Sequence, residues 1–287
     1  MRKKIVSLFC ALGSILSLSA CAISLLNLTI PREGYSLHRD LAYGSDPRQH
    51  LDLYVPKNVT TSVPVVLFFY GGSWQSGHKE DYLFVGQALA SKGYIVAVAD
   101  YRVYPQVSFP VFVQDGATAL RWLHENAASY GGDTHNIFLA GHSAGAYIAM
   151  MLTTNAHYIQ QAGGEPSWIR GTIGISGPYD FLPFTDPNIK ALFSTAKDAD
   201  TQPITFVDRK LPPIFLATGD ADTTVLPRNT HLLTKKLQEC GSPVETHIYP
   251  GVAHIGIALS LAHGFHSKAP LLNDIAAFIN AHKRDSE

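Results

Sequence analysis

Short apolar runs that alternate with helical patterns are the feature that most constrains this fold. The run Val63–Tyr70 is apolar at nearly every position, which is typical of a strand buried on both faces. Similar runs follow, and stretches of helical periodicity separate them. Strands and helices in alternation predict an α/β fold, with a mostly parallel sheet covered by helices on both faces. The further runs are Tyr94–Ala99, Asn136–Ala140, Thr172–Ile175, Pro213–Ala217 and Val244–Tyr249.

Two segments depart from this rhythm. The alternating stretches Tyr35–Ala42 and His50–Val55 predict antiparallel edge strands joined by a turn. Residues 178–211 are rich in Pro, Asp and Phe and are longer than a simple connection. We expect them to form a small lid over the carboxyl ends of the strands, where sheets of this type bind ligands. Residues 31–287 then form one folded domain, since a chain of 287 residues does not demand two.

The N-terminus has the pattern of a targeting segment. Residues 2–4 are basic and Ile5–Leu18 is an apolar run of secretory length. The run ends in Leu-Ser-Ala-Cys21, which resembles the bacterial lipobox and predicts a lipid on Cys21. The alternative is an uncleaved anchor, because apolar character continues through Ile30. Either way, residues 1–30 predict a domain tethered to a membrane of the bacterial cell envelope, outside the cytoplasm.

Charge and cysteine content exclude several classes of protein. A formal net charge of −1 provides no global field for nucleic acid, so we expect no nucleic-acid partner. Only Cys240 lies in the folded part beyond Cys21, so neither an internal disulfide nor a cysteine zinc site is expected. His263 and His266 have the spacing of metal ligands but lack a third ligand, and we predict surface positions. No metal site is predicted.

A serine lies in a strand-to-helix turn at mid-chain. Gly141-His142-Ser143-Ala144-Gly145 follows the run Asn136–Ala140 and opens an apolar helix. This context is typical of the G-x-S-x-G nucleophile elbow, where glycines leave room for a sharp turn. The amides at the start of the helix point at developing negative charge. Ser143 is therefore the predicted nucleophile.

An acid and a base follow the serine in the chain order this elbow requires. Asp220 and Asp222 both lie in the loop after the run Pro213–Ala217. Asp222 is the favoured acid from its spacing. Asp220 is the alternative, and its position next to the strand end is typical of a residue that ties a turn. Of the thirteen histidines, His254 follows the last strand in a Pro-Gly loop and is the predicted base.

A glycine pair closes the first long apolar run. Tyr70-Gly71-Gly72-Ser73-Trp74 lies where backbone N–H groups bind the oxyanion of a tetrahedral intermediate. The predicted donors are the amides of Gly72 and Ser73, with Ala144 after the nucleophile. Trp74 is a predicted pocket wall.

These motifs together resemble the carboxylesterase branch of the α/β-hydrolase superfamily, which carries an H-G-G-x-W loop. The branch includes kynurenine formamidase, feruloyl-esterase-like proteins and prenylcysteine methylesterase, the last being the closer likeness around Phe69–Gly77. The chain departs from it at Tyr70, where most relatives have histidine, and the resemblance implies that this side chain braces the loop. The resemblance rests on YGGSW, Asp100-Tyr101-Arg102, Tyr130-Gly131-Gly132-Asp133, GHSAG, GDADTTV and PGVAH.

The resemblance implies a serine hydrolase that cleaves small-molecule carboxylic esters through an acyl-enzyme, with no cofactor. Predicted pocket residues are Tyr70, Trp74, Phe181 and Phe184, which favour apolar or aryl esters. One alternative is an amidase or arylformamidase that uses the same residues. The other is a catalytically inactive, membrane-tethered binding protein on the same scaffold.

Overall fold

The computed structural model describes residues 25–57 and 62–284. Cys21 and most of the predicted anchor segment 1–30 lie outside these residues. Within the two described ranges, no helix combines the length and the apolar character needed to cross a membrane.

One eight-stranded sheet organises the domain. In chain order its strands are β1 (Tyr35–Ala42), β2 (His50–Pro56), β3 (Val63–Phe69), β4 (Ile95–Ala99), β5 (Gly132–His142), β6 (Ile169–Ile175), β7 (Ile214–Gly219) and β8 (Val244–Tyr249). Their order across the sheet is β1-β2-β4-β3-β5-β6-β7-β8. β1 and β2 pair antiparallel at one edge, and β2 also runs antiparallel to β4. All pairs from β4 onward are parallel, as the apolar runs predict.

Helices cover both faces of the sheet. Phe69 of β3 packs near Gly116 on one face, whereas Phe138 of β5 contacts Phe278 on the opposite face. The helices are α1 (Leu83–Ala90), α2 (Val111–Asn126), α3 (Ala144–Thr154), α4 (His157–Gln161), α5 (Pro187–Phe193), α6 (Arg228–Glu239), α7 (His254–Leu259) and α8 (Leu271–His282).

The structure differs from the predicted elements mainly in bounds. β5 begins at Gly132 rather than at Asn136, because Gly132 and Asp133 pair with the start of β3 across a register shift. α5 lies inside segment 178–211 and carries no strong apolar periodicity. It begins because the Asp186 side chain accepts hydrogen bonds from the amides of residues 188 and 189, with proline at the first position.

The carboxyl ends of the parallel strands meet at one edge of the sheet. The turn that ends β3, the serine after β5 and the aspartate after β7 all emerge there. Residues 178–211 connect β6 to β7 above this edge. The topology therefore brings side chains from distant parts of the sequence to one place.

Candidate active site

Ser143 lies between the last residue of β5 and the first residue of α3. Its backbone has φ 55° and ψ −122°, a region that residues other than glycine rarely adopt. The turn closes because Gly145 comes very near to β3, and a Cβ there would lie 2.0 Å from the carbonyl oxygen of Phe69. The amide of Ser143 donates to the carbonyl of Ile175 at 2.9 Å. The serine is thus held in a strained conformation at the strand edge.

His254 and Asp222 complete a hydrogen-bonded chain with this serine. The Ser143 Oγ lies 2.9 Å from His254 Nε2, and His254 Nδ1 lies 2.7 Å from Asp222 Oδ2. A carboxylate only accepts, so Nδ1 carries the proton and Nε2 is left to accept the proton of the serine. The structure brings together the three residues that the sequence analysis selected.

The Asp222 carboxylate is buried and is held in its ionised form. Its Oδ1 accepts hydrogen bonds from the amides of Thr224 and Val225, each at 2.9 Å. Burial alone would raise the pKa of Asp222, but the hydrogen bonds from His254 and the Val225 amide outweigh it and leave the pKa below its usual range. An ionised carboxylate here accepts the Nδ1–H bond of His254 and fixes the orientation of its ring.

Asp220, the alternative acid, has a different role. Its Oδ1 accepts a hydrogen bond from the amide of Gly251 at 2.6 Å and its side chain faces solvent. Gly251 lies in the loop that leads to His254. Asp220 therefore ties the acid loop to the histidine loop but does not contact the imidazole.

The loop after β3 presents amides beside the serine. Gly72 has φ 133°, and a Cβ on it would lie 2.2 Å from the carbonyl oxygen of Ser76, so only glycine fits. Ser73 and Ala144 line the same cavity as Ser143. Within residues 62–284, no protein acceptor bonds the amides of Gly72, Ser73 and Ala144. These N–H groups are available to an anion at the serine.

Tyr70 lies behind this loop and does not line the cavity. It is fully buried, and its hydroxyl donates to Asp100 at 2.6 Å and accepts from Arg48 at 2.8 Å. Its ring stacks between those of Tyr82 and Tyr101. The prediction that Tyr70 is a pocket residue is therefore wrong, because these bonds hold the side chain on the far side of the glycine pair. Instead, Tyr70 braces the glycine loop from behind, as the resemblance implied.

Arg48 is a member of this brace that the sequence analysis missed. It lies in the turn between β1 and β2 and also donates to the carbonyls of Gly77 and Tyr101, at 2.7 and 2.8 Å. The turn carried no signal for this role, because its partners are 22 to 53 residues away in the chain. Arg102, by contrast, lies outside the cavity and pairs with buried Asp115 at 2.6 Å.

The cavity in front of Ser143 has a volume of about 440 Å³ and mostly apolar walls. Trp74, Phe181 and Phe184 all line it, as predicted. Trp74 is fixed by edge-on contacts with Tyr147 and Phe193, each at 5.0 Å between ring centroids. Segment 178–211 supplies much of the wall. The remaining lining residues are Pro178, Leu182, Pro183, Thr185, Asp186, Ile189, Thr224, Val225, Leu226, Arg228 and Asn229.

One group of side chains in the described residues has metal-ligand spacing, but it is engaged otherwise. Ligand atoms of His78, Glu80 and Asp100 lie within 4.8 Å of one another. Asp100 already accepts from Tyr70 and from the Lys79 amide, and the Lys79 ammonium pairs with Glu80. A cation would compete with that ammonium, so these donors do not fit a metal. His263 and His266 are both exposed, as predicted.

Comparison with known proteins decides the family. A model of the BD-FAE family matches residues 51–237, a span longer than half of the 287 residues. The chain belongs to the BD-FAE family. This confirms the resemblance to the carboxylesterase branch that the motifs indicated.

Relatives of this BD-FAE chain include plant and bacterial proteins with esterase names. It is 32% identical to the "Probable isoprenylcysteine alpha-carbonyl methylesterase ICMEL1" of Oryza sativa subsp. japonica, over 77% of this chain and 57% of that protein. It is 30% identical to the isoprenylcysteine alpha-carbonyl methylesterase ICME of Arabidopsis thaliana, over 87% and 63%. The esterase LipC of Mycobacterium tuberculosis is 28% identical over 86% of this chain and 65% of that protein. The chain thus spans less than two thirds of these relatives.

Solved structures show the same fold at lower sequence identity. A truncated carbohydrate esterase from gut microbiota superposes with a TM-score of 0.78 at 20% identity, covering 88% of this chain and 98% of that one. Esterase B from Lactobacillus rhamnosis, in an inhibited form, superposes with a TM-score of 0.78 at 19% identity, covering 95% of this chain and 96% of that one. Together with the sheet order, these matches show that the BD-FAE chain has the α/β-hydrolase fold.

Proposed function

We propose that this chain is a serine hydrolase that cleaves carboxylic esters through an acyl-enzyme intermediate. The observation that carries the proposal is the hydrogen-bonded chain from Ser143 through His254 to Asp222, with distances of 2.9 and 2.7 Å. Ser143 lines a mostly apolar cavity together with Ser73 and Ala144, two of the three residues whose backbone amides are the predicted oxyanion donors. The esterase names of the relatives support the same chemistry.

In the acylation half, the Ser143 Oγ attacks the ester carbonyl carbon and its proton moves to His254 Nε2. Asp222 stabilises the resulting imidazolium, and the amides of Gly72, Ser73 and Ala144 receive the oxyanion. The bond from carbon to the alcohol oxygen then breaks. The leaving alkoxide takes the proton from Nε2, which releases a neutral alcohol and leaves the acyl group on the serine.

In the deacylation half, a water molecule takes the position of the alcohol. His254 Nε2 removes its proton as the oxygen attacks the acyl carbon, and the oxyanion returns to the same amides. The bond to Ser143 Oγ breaks and the serine recovers the proton. The products are the carboxylic acid and the original enzyme, and each step uses only groups of this chain and water.

The cavity favours apolar esters of modest size. A volume of about 440 Å³ lies at the lower end of the range for small-molecule sites, and Trp74, Phe181 and Phe184 form an aromatic wall. We therefore propose short or medium acyl and aryl esters as substrates. Amides pass through the same intermediates, so p-nitrophenyl acetate and N-formylkynurenine should be compared directly, with an ester preference expected.

Labelling by a fluorophosphonate probe tests the proposal. We expect the wild-type chain to form a covalent adduct and Ser143→Ala to form none, with turnover of p-nitrophenyl esters reduced by about 10⁴ or more. Both proteins should unfold at similar temperatures, because the hydroxyl is small and lies at the cavity surface. A folded wild-type chain that resists the probe would support the inactive binding protein instead.

We also propose that the chain acts in the cell envelope, tethered through its N-terminus. The support is the sequence pattern alone: basic residues 2–4, the apolar run Ile5–Leu18 and the small residues before Cys21. Mass spectrometry of the mature protein tests this. An acylated Cys21 at the new N-terminus supports the lipoprotein, and an intact Met1 would leave the uncleaved anchor.

A further inference from the structure

His142 is a buried histidine in the elbow to which the mechanism assigns no role. It precedes Ser143 in the chain, and only 2% of its surface is exposed. Its Nε2 lies 3.0 Å from the main-chain carbonyl oxygen of His254. A carbonyl oxygen only accepts, so His142 must carry its proton on Nε2 and donate it. The bond joins residues 112 positions apart in the sequence.

This bond closes a ring of contacts around the reacting atoms. His142 is covalently joined to Ser143, and the Ser143 Oγ lies 2.9 Å from the His254 imidazole. The main chain of the same residue 254 then returns to His142 through the carbonyl oxygen. The serine therefore contacts the side chain of His254 while its neighbour fixes the backbone of His254. Asp222 holds the imidazole from the other side at 2.7 Å.

His142 also lies against the loop that presents the oxyanion amides. A Cβ built on Gly71 would lie 3.1 Å from His142 Nδ1 and 3.0 Å from the Ser143 Cβ. The His142 and His254 rings lie 4.8 Å apart between centroids. One side chain thus contacts the elbow, the histidine loop and the glycine loop.

The His142 ring stays neutral in this position. Burial, with a smaller contribution from neighbouring His254, lowers its pKa to about 3. A neutral donor matters here, because a second positive charge 4.8 Å from His254 would oppose the imidazolium that the reaction requires. No donor among the described residues reaches His142 Nδ1, so the ring is bonded through one nitrogen alone. An apolar residue at position 142 would have no unpaired nitrogen, but it could not donate a hydrogen bond to the His254 carbonyl.

We propose that His142 is a positioning residue, whose Nε2–H bond to the His254 carbonyl fixes the histidine loop relative to Ser143. The proposal rests on the proposed ester hydrolysis only for its kinetic consequence. Losing the bond lets the imidazole drift from the serine while the substrate cavity is unchanged. A misplacement of about 1 Å costs about 100-fold in rate, so we expect kcat to fall and KM to stay nearly constant.

Three substitutions separate the donor from the shape of the ring. His142→Gln places an amide N–H near the Nε2 position, His142→Asn carries the same amide one methylene shorter, and His142→Leu keeps bulk without a donor. With p-nitrophenyl butyrate, the Leu and Asn variants should lose about 10- to 100-fold in kcat with KM within about twofold. The Gln variant should recover kcat to within about threefold of wild type. His247→Leu is the control, because His247 faces Asp274 outside the cavity.

Hydrogen exchange measures how firmly the His142–His254 hydrogen bond holds the histidine loop, without relying on activity. Backbone amides in residues 250–258 should exchange about tenfold faster in the Leu and Asn variants than in wild type, and the Gln variant should protect them. Full kcat or unchanged exchange in a folded Leu or Asn variant would overturn the proposal, as would equal impairment of Gln and Asn. If the wild-type chain proves inert toward esters, the proposed function fails. The exchange experiment still decides whether His142 fixes the histidine loop.

Discussion

Because the Tyr70 hydroxyl bonds two charged groups behind the glycine loop, we expect its removal to lower stability far more than removal of the Tyr54 hydroxyl. Tyr70→Phe removes a hydroxyl that donates to the Asp100 carboxylate at 2.6 Å and accepts from the Arg48 guanidinium at 2.8 Å. A hydrogen bond to a charged group contributes about 1.5–3 kcal/mol. Both charged groups keep other partners, namely the Lys79 amide for Asp100 and the Gly77 carbonyl for Arg48. We therefore expect a loss of about 2–4 kcal/mol in unfolding free energy.

Tyr54 supplies the matched control for this substitution. Its side chain is equally buried, but its hydroxyl has no hydrogen-bond partner among the described residues. Removing an unpaired buried hydroxyl should leave stability unchanged or raise it slightly. Urea unfolding followed by tryptophan fluorescence measures both variants, and with a slope of about 3 kcal/mol/M the Tyr70→Phe midpoint should fall by roughly 1 M.

Two results would refute this reasoning. A loss under about 1 kcal/mol in Tyr70→Phe would mean that Arg48 and Asp100 find each other or water without the hydroxyl. An equal loss in Tyr54→Phe would mean that ring packing, rather than the charged hydrogen bonds, determines both effects.

The remaining predictions concern the acid loop and the elbow. Asp222→Asn should lower kcat about 10³- to 10⁴-fold in a p-nitrophenyl ester assay, and Asp220→Asn should cost less than about tenfold because that carboxylate only holds an amide; equal losses would contradict the assignment. The pKa of Asp222 lies below its ordinary value of 3.8, so its contribution to stability is complete above that pH and lost as the pH falls through the lower folded value. Thermal midpoints measured from about pH 5 down to pH 2 should therefore fall less in Asp222→Asn than in wild type. Gly145→Ala should unfold the elbow or cost more than about 3 kcal/mol, since its Cβ would lie 2.0 Å from a backbone oxygen. Gly256→Ala, whose Cβ meets only one side chain at 3.7 Å in α7, should instead stabilise by about 0.5–1 kcal/mol in the same urea experiment.

Local patterns were sufficient to predict which segments form the strands of the sheet. β1 and β8 have the predicted limits, and a helix follows the Ser143 turn as predicted, because each depends on a periodicity or a turn within a few residues. β5 is longer than predicted, since its first residues are polar and form a strand only by pairing with β3. α5 was missed because a capping aspartate and a proline, rather than periodicity, begin it.

In the candidate site, too, local features could be predicted from the sequence and long-range contacts could not. Ser143 follows from a five-residue motif in a strand-to-helix context, and Asp222 and His254 follow from chain order and loop position. The orientation of Tyr70 did not follow, because its bonds to residues 22 and 30 positions away depend on how β2, β3 and β4 are ordered in the sheet. The tether from His142 to the His254 carbonyl lacked any sequence signal for the same reason.

The sequence by itself determined which residues can carry the chemistry, because strand hydrophobicity, glycine placement and chain order are local properties that the fold must obey. Only the tertiary structure decided which atoms meet. It directed the Tyr70 hydroxyl to Arg48 and Asp100, left Asp220 on an amide and aimed His142 at a carbonyl. Such pairings are set by the relative positions of whole strands, which no single segment encodes.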